Sequence, residues 1–391
     1  MVLMQAIMAT SFTVGAPFMP FFLTQLGVRS TADIALWAGA IASSGTLLLA
    51  FVSPYWGAYA DRHGRKGTVL RCCIVPALCY LLFAASRQPW HIVAANALSG
   101  AFGGFSAAAM TLVGTQAPEG RLGFALGWMA TGQLIGSLIG PLIGGLLADH
   151  LHDYRLIYIL TAAGVLLGTL FTVPFVHERF DPPVGQRRTP LSEQIGNIVA
   201  HRTLLPLVVV LFLTQATIYA PIPILPLYVR SLIGNVPWLG TTSGLAIAIA
   251  GVAGALATPW LGRLGDRIGY RPVLIASLGA AALFTFPQAL VADVRGLIAL
   301  RFAAGLFLGG ILPATNALIG RTASREDRGR IYGITSSASY FGIAAGPALG
   351  GAISAAFSFS TVFVLVAALT AVTLGLVLAM PDARAPLAEK S

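Results

Sequence analysis

The chain has 391 residues, 56% of them hydrophobic and only 10% charged, and a mean hydropathy of +0.80. A soluble domain carries about a quarter charged residues, so water is not the main solvent of this chain. The net charge of +10 does not mark a nucleic-acid binder, because the basic residues sit in short segments between apolar runs and not on a face interleaved with aromatics.

A bilayer crossing needs about 20 mostly apolar residues. Runs of that kind fall near 1–26, 34–57, 68–86, 90–115, 122–149 and 155–177, then near 202–229, 238–262, 272–291, 296–320, 331–357 and 360–380. Two sets of six predict an all-α membrane protein of 12 transmembrane helices. Its expected parts are an N-terminal six-helix bundle (1–177), a cytoplasmic linker (178–201), a C-terminal six-helix bundle (202–380) and a cytoplasmic tail (381–391). The first run has no basic lead and no small-residue cleavage site after it, and reads as a retained span. Pro, Gly and charge gather between His177 and Arg202, as a linker requires, and 191–200 has the pattern of a surface amphipathic helix.

Orientation follows from the loops. With the N-terminus inside, the inner segments hold Arg62, Arg65, Lys66, Arg71, Arg121, Arg179, Arg187, Arg188 and Arg202 in the first half. In the second they hold Arg263, Arg267, Arg271, Arg321, Arg325, Arg328 and Arg330, then Arg384 and Lys390 in the tail. Five of the six outer loops receive one each, Arg29, Arg87, Arg155, Arg230 and Arg295, and the last receives none. Such a bias places both termini in the cytoplasm.

The densest charge in the first half lies in Gly57-x-x-x-Asp61-Arg62-x-Gly64-Arg65-Lys66, between the second and third runs. It returns as Gly262-x-x-x-Asp266-Arg267-x-Gly269-Tyr270-Arg271 at one constant offset. Further echoes keep nearly the same spacing. Pro17 and Pro20 answer to Pro223 and Pro226, and Gly100 and Gly104 to Gly305 and Gly309. Gly136, Gly140, Pro141, Gly144 and Gly145 answer to Gly342, Gly346, Pro347, Gly350 and Gly351. A fixed internal offset means that one half is written twice. Small-x-x-x-small spacing puts glycines on one helix face, where backbones can approach closely.

The Asp61 loop between two spans resembles the signature loop of the major facilitator superfamily. The fifth-span pattern Gly136 to Gly145 resembles the motif of that superfamily's twelve-span drug:proton antiporters. The resemblance implies two bundles that rock about a central cavity by alternating access. It also implies that Asp61, with Arg62 and Arg65, latches the inner gate against the start of the eleventh span, where a helix N-terminus favours a carboxylate. Tyr270 replaces Arg65 in the second copy, so the network of Asp266 and Arg267 is expected to be weaker. Cavity walls in the family come mainly from spans 1, 4, 7 and 10, with help from 2, 5, 8 and 11. That points to Phe12, Phe18, Asn96, Phe102, Met110, Gln133, Gln215, Tyr219, Phe302, Phe307, Asn316 and Tyr340.

Every carboxylate falls at a span end or in a loop, although exporters of cationic drugs hold an acid in the first span. Here that span offers Thr10, Ser11 and Thr13. The one ionisable residue inside a run is Arg301, where the resemblance places a family arginine motif in the other half, at Asn96. It either snorkels to the interface or faces the cavity and selects acidic or hydrogen-bond-accepting substrates.

No Gly-x-x-x-x-Gly-Lys-Ser/Thr loop occurs, so the chain carries no ATP engine. The six histidines show no ligand spacing, and Cys72, Cys73 and Cys79 share one apolar run without forming a disulfide pattern. No cofactor, metal or enzymatic activity is expected. Three readings remain: proton-coupled efflux of amphipathic compounds across a bacterial cytoplasmic membrane, export of one endogenous metabolite such as a siderophore with loose or no coupling, and a scaffold that kept the fold. The partners expected are the small molecule, protons and lipid, and the protein is expected to act as a monomer.

Overall fold

The computed structural model describes residues 1–116, 121–151, 153–172, 178, 204–322 and 328–380, with Asp61 and a few helix-end residues described in backbone only. The linker beyond Glu178 and the tail therefore lie outside the described residues. Among the described residues each of the twelve apolar runs holds helix. We number them α1 (Val2–Gln25), α2 (Thr31–His63), α3 (Arg65–Ala85), α4 (Pro89–Gln116), α5 (Leu122–His150) and α6 (Tyr154–Thr172). The second half gives α7 (Leu204–Ile233), α8 (Leu239–Ile268), α9 (Tyr270–Ala289), α10 (Val294–Thr322), α11 (Arg328–Ala356) and α12 (Phe359–Ala379). Among the described residues nine stretches are long and apolar enough to cross a bilayer, and α6 and α7 supply shorter apolar helices, Tyr154–Leu170 and Leu204–Tyr219.

Three of the spans are broken where the sequence reading had continuous runs. α1 stops at Val14 and resumes at Met19 after a turn of 3-10 helix carrying Pro17. α7 is interrupted after Tyr219 and resumes at Leu225, across Pro221 and Pro223. Proline lacks the N–H that the helix ladder needs, which accounts for both breaks. α4 stops at Ala101 and restarts at Phe105, with Gly104 at φ 94°. The carbonyls freed there are met by side chains, as a lipid surround demands. Trp56 Nε1 donates to Ala101 O at 2.7 Å, Arg71 Nε to Phe102 O at 3.3 Å, and Cys72 Sγ to Gly103 O at 3.0 Å. The Arg71 guanidinium also lies 3.4 Å above the Trp56 ring.

Cores sort by end. At the end that carries residues 57–70, one cluster gathers Met4, Met8, Cys72, Cys73, Phe105, Met129 and Val165 from the first half alone. A second gathers Leu207, Leu211, Leu274, Leu278, Ile311 and Val377 from the second half alone. At the far end one cluster mixes the halves, Phe18, Phe22, Ile34 and Tyr158 packing with Ala220, Ile224, Leu227 and Val362. Another, of Leu225, Tyr228, Ala246, Leu297 and Phe363, belongs to the second half alone.

Three glycine pairs report the same asymmetry along individual helices. Gly145 and Gly127, Gly39 and Gly57, and Gly244 and Gly262 are each eighteen residues apart, five full turns at 3.6 residues per turn, and so share a face. A Cβ on Gly145 would lie 2.6 Å from Gly240 O, and one on Gly39 would lie 2.5 Å from Pro347 O. One on Gly244 would collide with Pro141 O. At Gly127, Gly57 and Gly262 a Cβ would meet nothing within 4 Å. The halves therefore touch backbone to backbone at the far end and part toward the signature end.

Within a half, close approach is equally tight where α4 crosses α2: a Cβ on Gly100 would run into the Gly45 carbonyl. Gly100→Ala should cost about 1–3 kcal/mol of stability, the usual penalty for overpacking. Gly114→Ala, which meets open space, should be neutral. Thermal unfolding of the purified protein checks the contrast, and equal melting temperatures for the two variants would refute it.

Candidate gate and cavity residues

Both signature copies fold identically at the turn. Gly64 (φ 93°, ψ 156°) ends α2, and Gly269 (φ 97°, ψ 150°) ends α8, in a backbone region that favours glycine. Each turn feeds a helix whose first residues are tied within their own half, with opposite chemistry, to Glu178 beyond α6 in the first half and to the end of α12 in the second. In the first half the Glu178 carboxylate accepts from the backbone N–H of Arg65 at 2.7 and 2.9 Å and of Lys66 at 2.7 Å. An acid at a helix start satisfies orphan N–H groups and complements the dipole. In the second half Arg271 reaches the C-terminal end of α12, donating to Val377 O at 3.3 Å, to Leu378 O at 3.1 Å and to Met380 O. A cation on the last carbonyls is the mirror of the same rule.

The side chain of Asp61 and the side chains at 328–330 lie outside the described residues, so its contact with the start of α11 is not on view. Arg62, Asp266 and Arg267 are exposed. In the second copy the Tyr270 hydroxyl donates to Asp266 Oδ1, and the Arg321 guanidinium sits 4.8 Å from the Tyr270 ring. Tyr270 thus gives Asp266 a neutral donor where the first copy carries a cation.

The glycine stripes work mainly inside their own half. Gly136, Gly140 and Gly144 face α1 at Ala6 to Val14, and Gly342, Gly346 and Gly350 face α7 at Phe212 to Ala220. Only the last glycine of each stripe crosses. Gly145 meets Gly240 and Thr241 on α8, and Gly351 meets Ala35 and Gly39 on α2. Pro141 and Pro347 supply the carbonyls against which Gly244 and Gly39 press.

Asn96 and Arg301 turn out to be mates under the repeat. Asn96 Nδ2 donates to Ile41 O of α2, and Arg301 Nε donates to Ala246 O of α8. Each ties the fourth helix of its half to the second by a side chain on a backbone carbonyl. Gln133 belongs to a polar knot that the sequence reading missed. Gln5 Nε2 donates to Ser106 Oγ at 2.8 Å and to Gln133 Oε1, and Ser106 Oγ donates to Gln133 Oε1 at 2.6 Å. Gln5 is completely buried, and its Oε1 has no partner. A glutamine five residues into an apolar span was the available signal.

The remaining cavity candidates are scattered. Phe18 is buried in the far-end core, against Gly144. Phe12 lies 6.3 Å from the Tyr80 ring, and Phe307 stacks on Phe284 at 5.9 Å. Gln215 packs under Gly342, Tyr219 and Tyr340 are half-buried, and Asn316 is exposed. The three cysteines are buried and free.

Comparison with known proteins agrees with this architecture. A sequence model of the Major Facilitator Superfamily matches residues 1–236 and 207–391. The chain is 37% identical over 357 residues to the multidrug resistance protein MdtG of Citrobacter koseri, covering 91% of this chain and 88% of that one. It is 36% identical over the same length to MdtG of Salmonella arizonae. Among solved structures it is similar to the nucleoside transporter NupG, with a TM-score of 0.78 at 15% identity over 97% of this chain and 96% of that one. A bacterial homologue of the human lysosomal transporter Spinster, in an inward-facing and unoccupied conformation, gives a TM-score of 0.79 at 15% identity over 96% and 94%.

The Glu178 cap gives a direct test. Glu178→Ala removes the acceptor of the Arg65 and Lys66 amides and should cost about 0.5–2 kcal/mol locally, the usual value of a lost cap. Hydrogen exchange in peptides covering residues 65–70 should quicken while the α9 peptides stay as they were. Unchanged exchange at 65–70 would remove Glu178 from that role.

Proposed function

Because the chain belongs to the major facilitator superfamily and is a multi-pass membrane transporter, we propose that it exports amphipathic small molecules, toxic drugs among them, by alternating access coupled to proton entry. The observation that carries this reading is the set of glycine pairs five turns apart, tight against the other half at one end and open at the other. Two bundles whose backbones press together toward one end and part toward the other can rock to close the open end, which is how a site between them meets each side in turn. The positive-inside bias turns the signature end to the cytoplasm, with both termini and the 178–201 linker on that side. On this reading the end where the halves part faces the cytoplasm, in the inner membrane of a bacterium.

Asp61, with Arg62, Arg65 and the turn at Gly64, is the latch that closes the cytoplasmic side. In that closed state the Asp61 carboxylate docks on the start of α11, an interaction of about 0.3–1 kcal/mol at a helix N-terminus and up to about 2 kcal/mol when partly buried. The weaker Asp266–Arg267 copy leaves the latch one-sided. Substrate contacts come from Phe12, Gln133, Gln215, Tyr219, Asn316 and Tyr340. Arg301, fixed through Nε, has its other guanidinium N–H groups to offer to substrates with acidic or accepting groups.

A second reading has a specific observation behind it. Among the described residues the carboxylates Asp33, Asp149, Asp153, Glu178, Asp266 and Asp293 all lie at helix ends or in loops. A transporter without a carboxylate in its membrane interior suits export of one endogenous metabolite with loose coupling to protons.

Expression in a susceptible strain should lower accumulation of amphipathic dyes, and a protonophore should restore it. Accumulation lowered equally with and without the protonophore would favour the loosely coupled exporter. No effect on any compound would contradict efflux. Asp61→Asn should reduce export several-fold at normal expression, and normal export would dismiss the latch. Arg301→Ala should impair acidic substrates more than neutral ones, and an equal effect on both would remove its selective role.

A further inference from the structure

The carboxylates of the far end sort by what they hold. Asp153 Oδ1 accepts from Gln25 Nε2 at 2.6 Å and from the Arg155 amide at 2.9 Å, both in its own half. Asp293 Oδ1 accepts from the Gly296 amide at 2.6 Å, at the start of its own helix. Asp149, at the end of α5, does something different. Its Oδ1 accepts from the Gly240 amide at 2.6 Å, and its Oδ2 accepts from the Thr241 amide at 2.8 Å and from the Thr241 hydroxyl. Those donors are the first residues of α8, in the opposite half. One carboxylate from the first bundle therefore caps a long helix of the second.

The spot is a point of closest approach between the halves. A Cβ on Gly145, one turn before Asp149, would lie 2.6 Å from Gly240 O, and one on Gly240 would lie 2.6 Å from Asp149 Oδ1. No side chain separates the two backbones, so the carboxylate reaches the helix start directly. Charged hydrogen bonds of this kind exceed neutral ones, and the helix dipole adds to them.

The other seam has no counterpart. Gly145 corresponds to Gly351 under the repeat, which sets Ala355 opposite Asp149. There α11 meets α2 through Gly351 on Ala35 and Gly39 on Pro347, with the Phe51 and Phe341 rings in edge contact farther along the seam. Of the α5–α8 and α2–α11 seams, the first is tied by a carboxylate on a helix start and the second by packing, while α1 and α7 add apolar contacts and the Arg230 guanidinium over the Phe21 ring.

We propose that Asp149 is the positioning residue that holds the far side of the transporter shut, acting on the N-terminus of α8 through Gly240 and Thr241. This rests on the alternating-access reading above. Opening the far side must break three hydrogen bonds at once on the α5–α8 seam, and that sets how often the protein faces outward. Asp149 is the far-side partner of the Asp61 latch, on a different helix pair.

The test is a distance measurement by electron spin resonance on the full chain in lipid nanodiscs, with spin labels at Arg87→Cys and Arg295→Cys. Both positions are exposed at the far end, and the native cysteines are buried. The parent protein should give mainly the short distance. Asp149→Ala should raise the ratio of long to short distances roughly tenfold or more, as expected when charged hydrogen bonds are lost. Asp149→Asn, which keeps the shape without the charge, should fall between, Thr241→Val should have the smallest effect, and Asp153→Asn should have none. Gly145→Trp serves as a wedge that forces the seam apart. If the wedge lengthens the distance and Asp149→Ala does not, Asp149 is not the latch while alternating access stands. If neither lengthens it, this end does not open and both readings fall together.

Discussion

Everything in this fold depends on backbones coming into contact where no side chain intervenes. In lipid there is no hydrophobic gain in bringing two helices together, so association relies on close packing and on hydrogen bonds between helices. Glycine supplies both, because it brings a neighbour's carbonyl and Cα surface to van der Waals range. Gly136, Gly140 and Gly144 seat α5 on α1, and Gly342, Gly346 and Gly350 seat α11 on α7. Gly100 and Gly305 do the same between the fourth and second helices of each half. Two rigid bundles result, and the seam between them uses the last glycine of each stripe.

Rigidity within a bundle is what gives the seam its meaning. A contact between two soft bodies would spread along the whole face. Here the face of α5 that touches α8 at Gly145 is free five turns away at Gly127, and α2 and α8 repeat the pattern. The joint far-end core and the two separate cores at the signature end describe the same geometry from the apolar side chains. Polar groups finish the bundles: Glu178 caps the third helix of the first half, Arg271 ties the third helix of the second half to its sixth, and Asn96 and Arg301 tie the fourth to the second.

The sequence made the repeat legible because its marks are backbone requirements. Gly64 and Gly269 adopt nearly the same φ and ψ, and the glycine stripes occupy matched places against matched helices. Composition and run length sufficed for the twelve helices. The breaks were less visible, although Pro17, Pro221, Pro223 and the Gly103–Gly104 pair were their signals. What could not be read was partnership. Gln5 joins Ser106 and Gln133 from more than a hundred positions away, Glu178 caps a helix that begins at Arg65, and Asp149 caps one in the other bundle. A carboxylate at a span end looks the same in sequence whether it faces water, its own helix or another half. Arg301 carries the same lesson, since its hold on Ala246 comes from helix packing that no local pattern encodes.

The central proposal is that the two bundles stand apart at the signature end, on the cytoplasmic side, and meet at the other. Its most direct test is labelling of Gly57→Cys, Gly127→Cys and Gly262→Cys with a membrane-impermeant thiol reagent, in everted and in right-side-out vesicles. Each position has room for the new side chain, and the native cysteines are buried. Rapid labelling of all three in everted vesicles, with little in right-side-out ones, is the result this account predicts. Labelling from the right-side-out face, or protection from both, would contradict it.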